Sequence, residues 1–290
     1  MISIPQEQST FQIESFRPVL TSYAYNILGS YDEAKDVVQD AYLQFITMNT
    51  SHVENIRAYL TRTVINLSIN QKNRQKKMLS SYPGEWLPEP VSTDSADAGL
   101  SSKELLSYSL MVLLEKLNAK QRAVFILKEA FGYEHAEIAG IIGVSEENSR
   151  QLLRRAKRQL QEDRPGNGIR DTSIKLHTYL QVIQRGDIRR LEELLNEDIT
   201  VISDGGGKAS AALNPIRGKA PALAFLQGIY AKFYQSRPIH MGHVNHQPAL
   251  FYFDERALTA CQIYSFENGL LKHVYIIRNP DKLKKLQESF

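Results

Sequence analysis

The sequence is poor in several things at once. Of its 290 residues one is cysteine, Cys261, which excludes an internal disulfide and any zinc site built on several cysteines. No run of about 18 apolar residues occurs, so no bilayer-spanning helix is expected. The opening residues M-I-S-I-P-Q-E-Q-S-T lack a basic start and an apolar stretch, so export is not expected and a cytoplasmic location is. There is one tryptophan, Trp86. No Lys or Arg stands between Lys77 and Lys103, an empty stretch in a chain of net charge +3. What remains, 42% hydrophobic and 23% charged residues, is a globular mixture long enough for about two domains.

Residues 9–79 read as helices. Phe16, Val19, Leu20, Tyr23 and Ile27 form a stripe at helical spacing. Ser30-Tyr31-Asp32-Glu33 is a capping box opening a second helix, with acids in the first turn. That helix buries Ala34, Val37, Val38, Ala41 and Phe45, which turns Asp36, Gln39, Asp40 and Gln44 outward. A third helix starts near Asn55, buries Ile56, Tyr59, Leu60, Val64 and Leu67, and ends in the basic run Gln71–Lys77. Residues 80–102 hold Pro83, Gly84, Pro88 and Pro90 with Glu85, Glu89, Asp94 and Asp97, an acidic extended linker with Trp86 as its one large anchor.

Residues 103–161 return to helix. Asn118-Ala119-Lys120-Gln121 reads as a cap ahead of the stripe Val124, Leu127 and Phe131. Then follows the grammar of a helix-turn-helix. Ala139 allows a close crossing and Gly143 the turn. Ile138, Ile142 and Val144 fill between the helices, and Ser145 caps the second. That helix sets Arg150, Arg154, Arg155, Lys157 and Arg158 against Glu146 and Glu147, a phosphate-facing excess of positive charge. A solvated basic helix of an ordinary bundle is the plainer alternative.

Residues 162–171 read as a second linker, and residues 172–290 as an α+β domain. Helices over about 172–195 and 219–234 precede β-branched and aromatic runs, Phe251–Phe253, Leu258–Phe266 and Leu270–Ile277. The last two are joined at Asn268-Gly269, a hairpin signal, and the arrangement predicts an antiparallel meander. His240, His243 and His246 invite a metal reading, but on a strand His243 points opposite to the others, so no metal is expected. Asp204, in D-G-G-G-K, reads as the start of a turn whose glycines allow tight backbone.

The first two parts resemble an extracytoplasmic-function (ECF) sigma factor of the sigma-70 superfamily. S-Y-D-E-A-K-D-V-V-Q-D-A-Y-L-Q-F and N-I-R-A-Y-L-T-R-T-V-I-N-L-S-I-N-Q-K-N-R are similar to sigma region 2, and residues Leu117–Ser145 to region 4. The third part resembles the SnoaL-like domain, a cone of curved sheet and helices. One ECF subgroup fuses that domain to its C-terminus, and its marks stand here as Trp86-Leu87-Pro88-Glu89-Pro90, Asp204-Gly205-Gly206-Gly207-Lys208 and Asn279-Pro280-Asp281-Lys282-Leu283. The resemblance then covers nearly the whole chain. Two positions depart from it: Ser149 stands where a small aliphatic residue is frequent, and Tyr59 where tryptophan is frequent.

The resemblance implies two all-α sigma modules plus an α+β cone, and no catalysis, cofactor or metal. It implies core RNA polymerase, through its clamp and flap, and promoter DNA as partners. Asp36, Gln39, Asp40 and Gln44 would face the clamp. Asn49, Thr50, Ser51, His52 and Asn55 would offer polar groups to a flipped base of the −10 element, with Arg57, Arg62, Lys72 and Arg74 along phosphates. Glu147, Asn148, Arg150, Gln151 and Arg154 would reach −35 bases or nearby phosphates, and Arg155, Lys157 and Arg158 would set register. The linker would thread the polymerase cleft. The three subgroup marks would form a regulatory contact, and the cone could hold a small molecule. Two other classes stay open: a ligand-responsive helix-turn-helix regulator that never joins polymerase, and a SnoaL-like enzyme on a DNA-binding tether.

Overall fold

The computed structural model describes residues 6–48, 53–94, 99–160 and 172–290. The chain forms two compact units, and they interleave along the sequence.

The first unit takes Met1–Met78, Ala96–Leu106 and Leu113–Asp163. Helices α1 (Gln6–Leu28), α2 (Tyr31–Thr47) and α3 (Ile56–Met78) pack on one another. Ser30 caps α2 by accepting from the Glu33 amide at 3.4 Å, and the stripe Ala34, Val37, Val38, Ala41 and Phe45 is buried as its spacing requires. Leu20, Ile27, Leu60 and Val64 complete this core, while Phe16, Val19, Ile56, Tyr59 and Leu67 are half-buried at its border. After α4 (Tyr108–Leu114), Asn118 and Gln121 exchange side-chain and backbone hydrogen bonds to cap α5 (Ala119–Phe125). A π-helical turn leads on to α6 (His135–Ile142) and α7 (Glu146–Leu160). Gly143 ends α6 at φ +66°, a conformation that glycine adopts without a Cβ penalty, and Ser145 accepts from the Asn148 amide at 3.1 Å. Helix α7 buries Ser149, Leu153, Ala156 and Leu160, one stripe of a strongly two-faced helix.

Two buried cations share one carboxylate in this unit. Arg122 is fully buried, and its guanidinium meets Glu115, while its Nε donates to the Asn26 carbonyl at 2.9 Å. Lys72 donates to Glu115 at 2.8 Å and to the Leu28 carbonyl at 2.9 Å. Burial draws the Lys72 ammonium down to about 8. Burial alone would raise the Glu115 carboxyl, but Arg122 and Lys72 hold it below the ordinary carboxylate value.

The second unit takes Leu79–Ser95, Ser107–Val112 and Arg164–Phe290. It contains α8 (Thr172–Gln184), α9 (Ile188–Leu194), β1 (Leu195–Asp204), β2 (Ile216–Arg217) and α10 (Lys219–Ile229). Strands β3 (Ile239–Val244), β4 (Gln247–Asp254), β5 (Ala257–Glu267) and β6 (Leu270–Ile277) follow, and α11 (Pro280–Gln287) comes last. The six strands form one sheet in the order β2-β1-β6-β5-β4-β3. The expected meander holds for β3 to β6, but β1 was not foreseen, and it pairs parallel to β6, so the sheet is mixed. Asn268 and Gly269 both have positive φ, which gives the primed turn that closes β5 on β6.

Alternation gives the sheet two covered faces. Ile199, Val201, Leu250, Tyr252, Ala260, Tyr264, Val274 and Ile276 pack against α8, α9 and α10. Ala249, Phe251, Phe253, Cys261, Ile263, Tyr275 and Ile277 pack against Leu283 and Leu286 of α11, Leu87 of the linker and Tyr108.

The shared carboxylate makes a stability prediction. Glu115→Ala leaves two buried cations without it and should cost roughly 3–5 kcal/mol by chemical denaturation. The Lys72 proton works in the other direction. Between about 8 and 10.5 the unfolded chain holds a proton that folded Lys72 has released, so this group makes stability rise with pH. From about pH 8 to 9.5 the wild type should therefore gain on the order of 1 kcal/mol relative to Lys72→Met. A difference that stays flat with pH would contradict it.

Candidate nucleic-acid interface and linker-binding loop

Helix α7 presents its bases to solvent. Glu147, Asn148, Arg150, Arg154, Arg155 and Arg158 are exposed, and Gln151 and Lys157 half-exposed. Arg150 pairs with Glu146 one turn back, Gln151 donates to Glu147 at 3.3 Å, and Lys157 pairs with Glu129 at 2.7 Å. Arg150, Leu153, Arg154, Lys157 and Arg158 line an open surface concavity. Such exposed pairs contribute little to stability and exchange readily for phosphates.

On α2, Asp36, Gln39, Asp40 and Gln44 are exposed, and Leu43 and Ile46 stand beside them, also exposed. Asn49, Thr50, Ser51 and His52 lie outside the described residues. Asn55 uses its side-chain oxygen to accept from the Ala58 amide at 2.9 Å, as the cap of α3. Arg57, Arg62 and Arg74 are exposed along α3. Lys72 is not: it faces inward to Glu115 and the Leu28 carbonyl, so the phosphate contact expected of it is not available in this conformation. Its place in the basic run hid this, because Lys72 and Gln75 lie on the buried face of α3 and their neighbours do not.

The second unit brings three separate sequence motifs to one carboxylate. Asp204 is 1% exposed and ends β1. Its Oδ1 accepts from the Tyr82 hydroxyl at 2.6 Å and the Gly206 amide at 3.0 Å. Its Oδ2 accepts from the Leu87 amide at 3.0 Å and from Lys282 Nζ at 2.6 Å. Lys282 donates also to the Leu87 carbonyl at 2.5 Å and lies 4.2 Å from the Trp86 ring centroid. The Asp204 carbonyl accepts from the Arg278 and Asn279 amides at 2.8 and 3.0 Å. Asn279 donates to Tyr82 at 3.1 Å and caps α11. A charge fully enclosed in this way is stable only because every acceptor position is used.

Glycine is needed where these segments meet. A Cβ on Gly206, already at φ +60°, would lie 2.2 Å from Asn279 Nδ2, and one on Gly205 2.0 Å from the Ala209 carbonyl. Gly207, at φ +71°, has Pro83 of the linker beside it. Lys208 pairs with Asp281 at 2.5 Å, and Pro280 opens α11. The desolvation of the Tyr82 hydroxyl and the adjacent Asp204 carboxylate push its pKa well up, so Tyr82 stays a donor.

The linker continues along the sheet edge. Pro88, Glu89 and Pro90 are buried, and the Pro88 carbonyl accepts from the Tyr108 hydroxyl at 2.7 Å. The Val91 amide donates to the Asn245 side chain at 3.1 Å, and the Val91 carbonyl accepts from the Asn245 amide at 3.0 Å. Asp94 accepts from the His243 amide at 2.6 Å and meets its ring nitrogen at 2.9 Å. His243 thus has a linker partner, and His240 lies against Phe253 and Phe290. No metal-binding group of three occurs among the described residues. Inside the cone, Tyr252 and Tyr264 both donate to Gln262, with Tyr179 and Tyr234 against their rings. Burial pushes all four hydroxyls up.

The first unit carries an exposed basic helix, and the helix-and-sheet unit holds the linker through Asp204. The comparisons with known proteins name the class. The model of sigma-70 region 2 matches residues 12–78, and that of sigma-70 region 4 matches residues 107–160. The chain is similar to the ECF RNA polymerase sigma factor SigJ of Mycobacterium tuberculosis, 30% identical over 267 residues, which is 89% of this chain and 81% of that protein. It is also similar to the probable ECF RNA polymerase sigma factor SigI of the same species, 24% identical over 93% of both chains. The crystal structure of SigJ superposes with a TM-score of 0.77 at 27% identity, over 95% of this chain and 98% of that one. The chain belongs to the ECF RNA polymerase sigma factors, and its third part is the SnoaL-like domain. It is a transcription initiation factor with a helix-turn-helix DNA-binding region. Among the described residues no helix is long and apolar enough to cross a membrane.

Sequence reasoning missed Tyr82, Asn245 and the Asp94–His243 pair. Tyr82 carried a usable signal, an aromatic beside Pro83 in an otherwise polar stretch. Asn245-His246 carried another, since Asn and His are enriched among non-glycine residues at positive φ, and both take it in the turn from β3 to β4.

Trp86, the single tryptophan, reports on this site. Asp204→Asn puts an amide donor where only acceptors fit and leaves Lys282 without its carboxylate. It should red-shift Trp86 fluorescence in the free protein, speed amide exchange at Leu87 and Val91, and lower stability by roughly 3 kcal/mol. Unchanged emission and exchange would show that the carboxylate does not hold the linker.

Proposed function

We propose that this sigma factor carries its own regulator. The SnoaL-like domain holds the acidic linker, and core polymerase competes for the same segment. The observation that supports the reading is the Asp204 carboxylate, which accepts from the linker at Tyr82 and Leu87 and from the tail at Lys282. The linker carries Glu85, Glu89, Asp94 and Asp97 and no base, so it suits a basic cleft as an alternative host.

In the active state Asp36, Gln39, Asp40 and Gln44, with Leu43 and Ile46, face the polymerase clamp, and the region 4 module engages the flap. The segment Asn49–His52 with Asn55 takes a −10 base, and Arg57, Arg62 and Arg74 follow phosphates. Helix α7 enters the −35 major groove, with Arg155, Lys157 and Arg158 on the backbone. The C-terminal domain acts by contact rather than turnover, which the fully paired Asp204 supports. The charge of Asp204 is used in holding chain segments, and Tyr179 and Tyr234 lie against the rings of Tyr264 and Tyr252 in the core between sheet and helices.

A chain ending at residue 278 loses Asn279 and Lys282, and with them both tail ligands of the linker site. With core polymerase in excess of the sigma factor, it should give more promoter-dependent transcript than full-length protein, by up to about tenfold, as expected when a competing state worth about 1.4 kcal/mol is removed. Asp204→Asn should act in the same direction and less. If the truncated chain binds core normally and its transcript yield equals that of the full chain, the regulatory reading is wrong.

A further inference from the structure

Ser149 departs from the family pattern, and the structure gives the departure a partner. Ser149 lies in the first turn of α7 with no exposed surface. A buried hydroxyl without a hydrogen bond is destabilising, so its environment must supply one. The supply comes from His135, the first residue of α6, whose Nδ1 is 2.9 Å from Ser149 Oγ. The hydroxyl can either give or take the proton, so the bond forms with either ring tautomer.

The position of this bond matters more than its strength. The C-terminal end of α6 is tied to α7 by the short turn through Gly143, where the Val144 amide donates to the Ala139 carbonyl at 3.1 Å. The His135–Ser149 bond ties the opposite end of α6 to the same helix. Two ties at opposite ends fix both the crossing angle and the rotation of α7 about its axis. An aliphatic residue at position 149 would give only a non-directional contact, which tolerates sliding and rotation. A hydrogen bond does not, because it weakens steeply as its angle departs from linear. Ser149 points inward, while its neighbours Asn148 and Arg150, about 100° away on either side, are exposed. The rotation fixed at Ser149 is therefore the rotation that aims those side chains and Gln151.

We infer that Ser149 and His135 are positioning residues for promoter recognition: their hydrogen bond sets the aim of the recognition helix and so the sharpness of −35 selection. Neither touches a base. The inference rests on the reading that α7 reads the −35 element, and the experiment separates the two.

The test uses full-length protein with core polymerase and a promoter library randomised over the −35 element, with transcripts counted by sequence. Ser149→Ala should keep total non-specific DNA binding and its salt dependence, and flatten discrimination between preferred and disfavoured −35 sequences by about three- to tenfold, the size of one hydrogen bond. His135→Phe should give the same flattened profile, and adding Ser149→Ala to it should cause no further loss, because the two residues act as one unit. His135→Asn, which keeps a polar atom near the Nδ1 position, should restore most of the selectivity. Arg155→Ala should instead weaken all sequences alike. A profile that Gln151→Ala moves and Ser149→Ala does not overturns the inference alone. A profile that neither moves overturns the −35 reading, and the inference with it. Loss of selectivity in Ser149→Ala that only tracks a lowered melting temperature, without rescue by His135→Asn, assigns the pair to stability and overturns it as well.

Discussion

One enclosed negative charge organises the second unit. Asp204 has almost no contact with solvent, and a carboxylate there is tolerable only if it is matched in charge and in hydrogen bonds. The match comes from four donors on three segments distant in sequence: Tyr82 and Leu87 of the linker, Gly206 of its own loop, and Lys282 of the last helix. None of these segments could satisfy it alone. The glycines follow from the same demand, because Asn279 and the Ala209 carbonyl occupy the space a Cβ would need. So does the Trp86 indole, which covers the Lys282 ammonium from its ring face.

The first unit uses buried charge differently. Glu115, in the turn after α4, answers two cations from helices, Arg122 on α5 and Lys72 on α3, and each cation also reaches a backbone carbonyl near the end of α1. This arrangement takes Lys72 out of the set of bases available to nucleic acid. It leaves the positive charge of α7 exposed. The chain thus divides its basic residues into those that hold the fold and those that face outward, and the division follows helix faces rather than sequence blocks.

Much of this was legible in the sequence. The caps at Ser30, Asn118 and Ser145, the αL turn at Gly143 and the hairpin at Asn268-Gly269 rest on local chemistry, and local chemistry is written in short strings. The buried stripe of α2 follows from its spacing. Strand β1 was less legible because Asn196-Glu197-Asp198 opens it with polar residues and hides the alternation of Ile199, Val201 and Ser203. Its parallel pairing with β6 joins residues more than seventy positions apart, which no local pattern encodes. Lys72 was misplaced for a similar reason: its partner Glu115 lies forty-three residues away, and a lysine among lysines gives no sign of facing inward. The motifs Trp86–Pro90, Asp204–Lys208 and Asn279–Leu283 could be singled out as a set, but the donors that complete the site, above all Tyr82, became visible only with the geometry.

The central claim is that the Asp204 site and core polymerase are alternative hosts for one linker. Equilibrium binding of full-length protein to core polymerase, wild type against Asp204→Asn, tests it most directly. Freeing the linker removes a competing state, so the account predicts tighter binding by Asp204→Asn, by about three- to tenfold. Equal or weaker binding by a folded Asp204→Asn chain would contradict it.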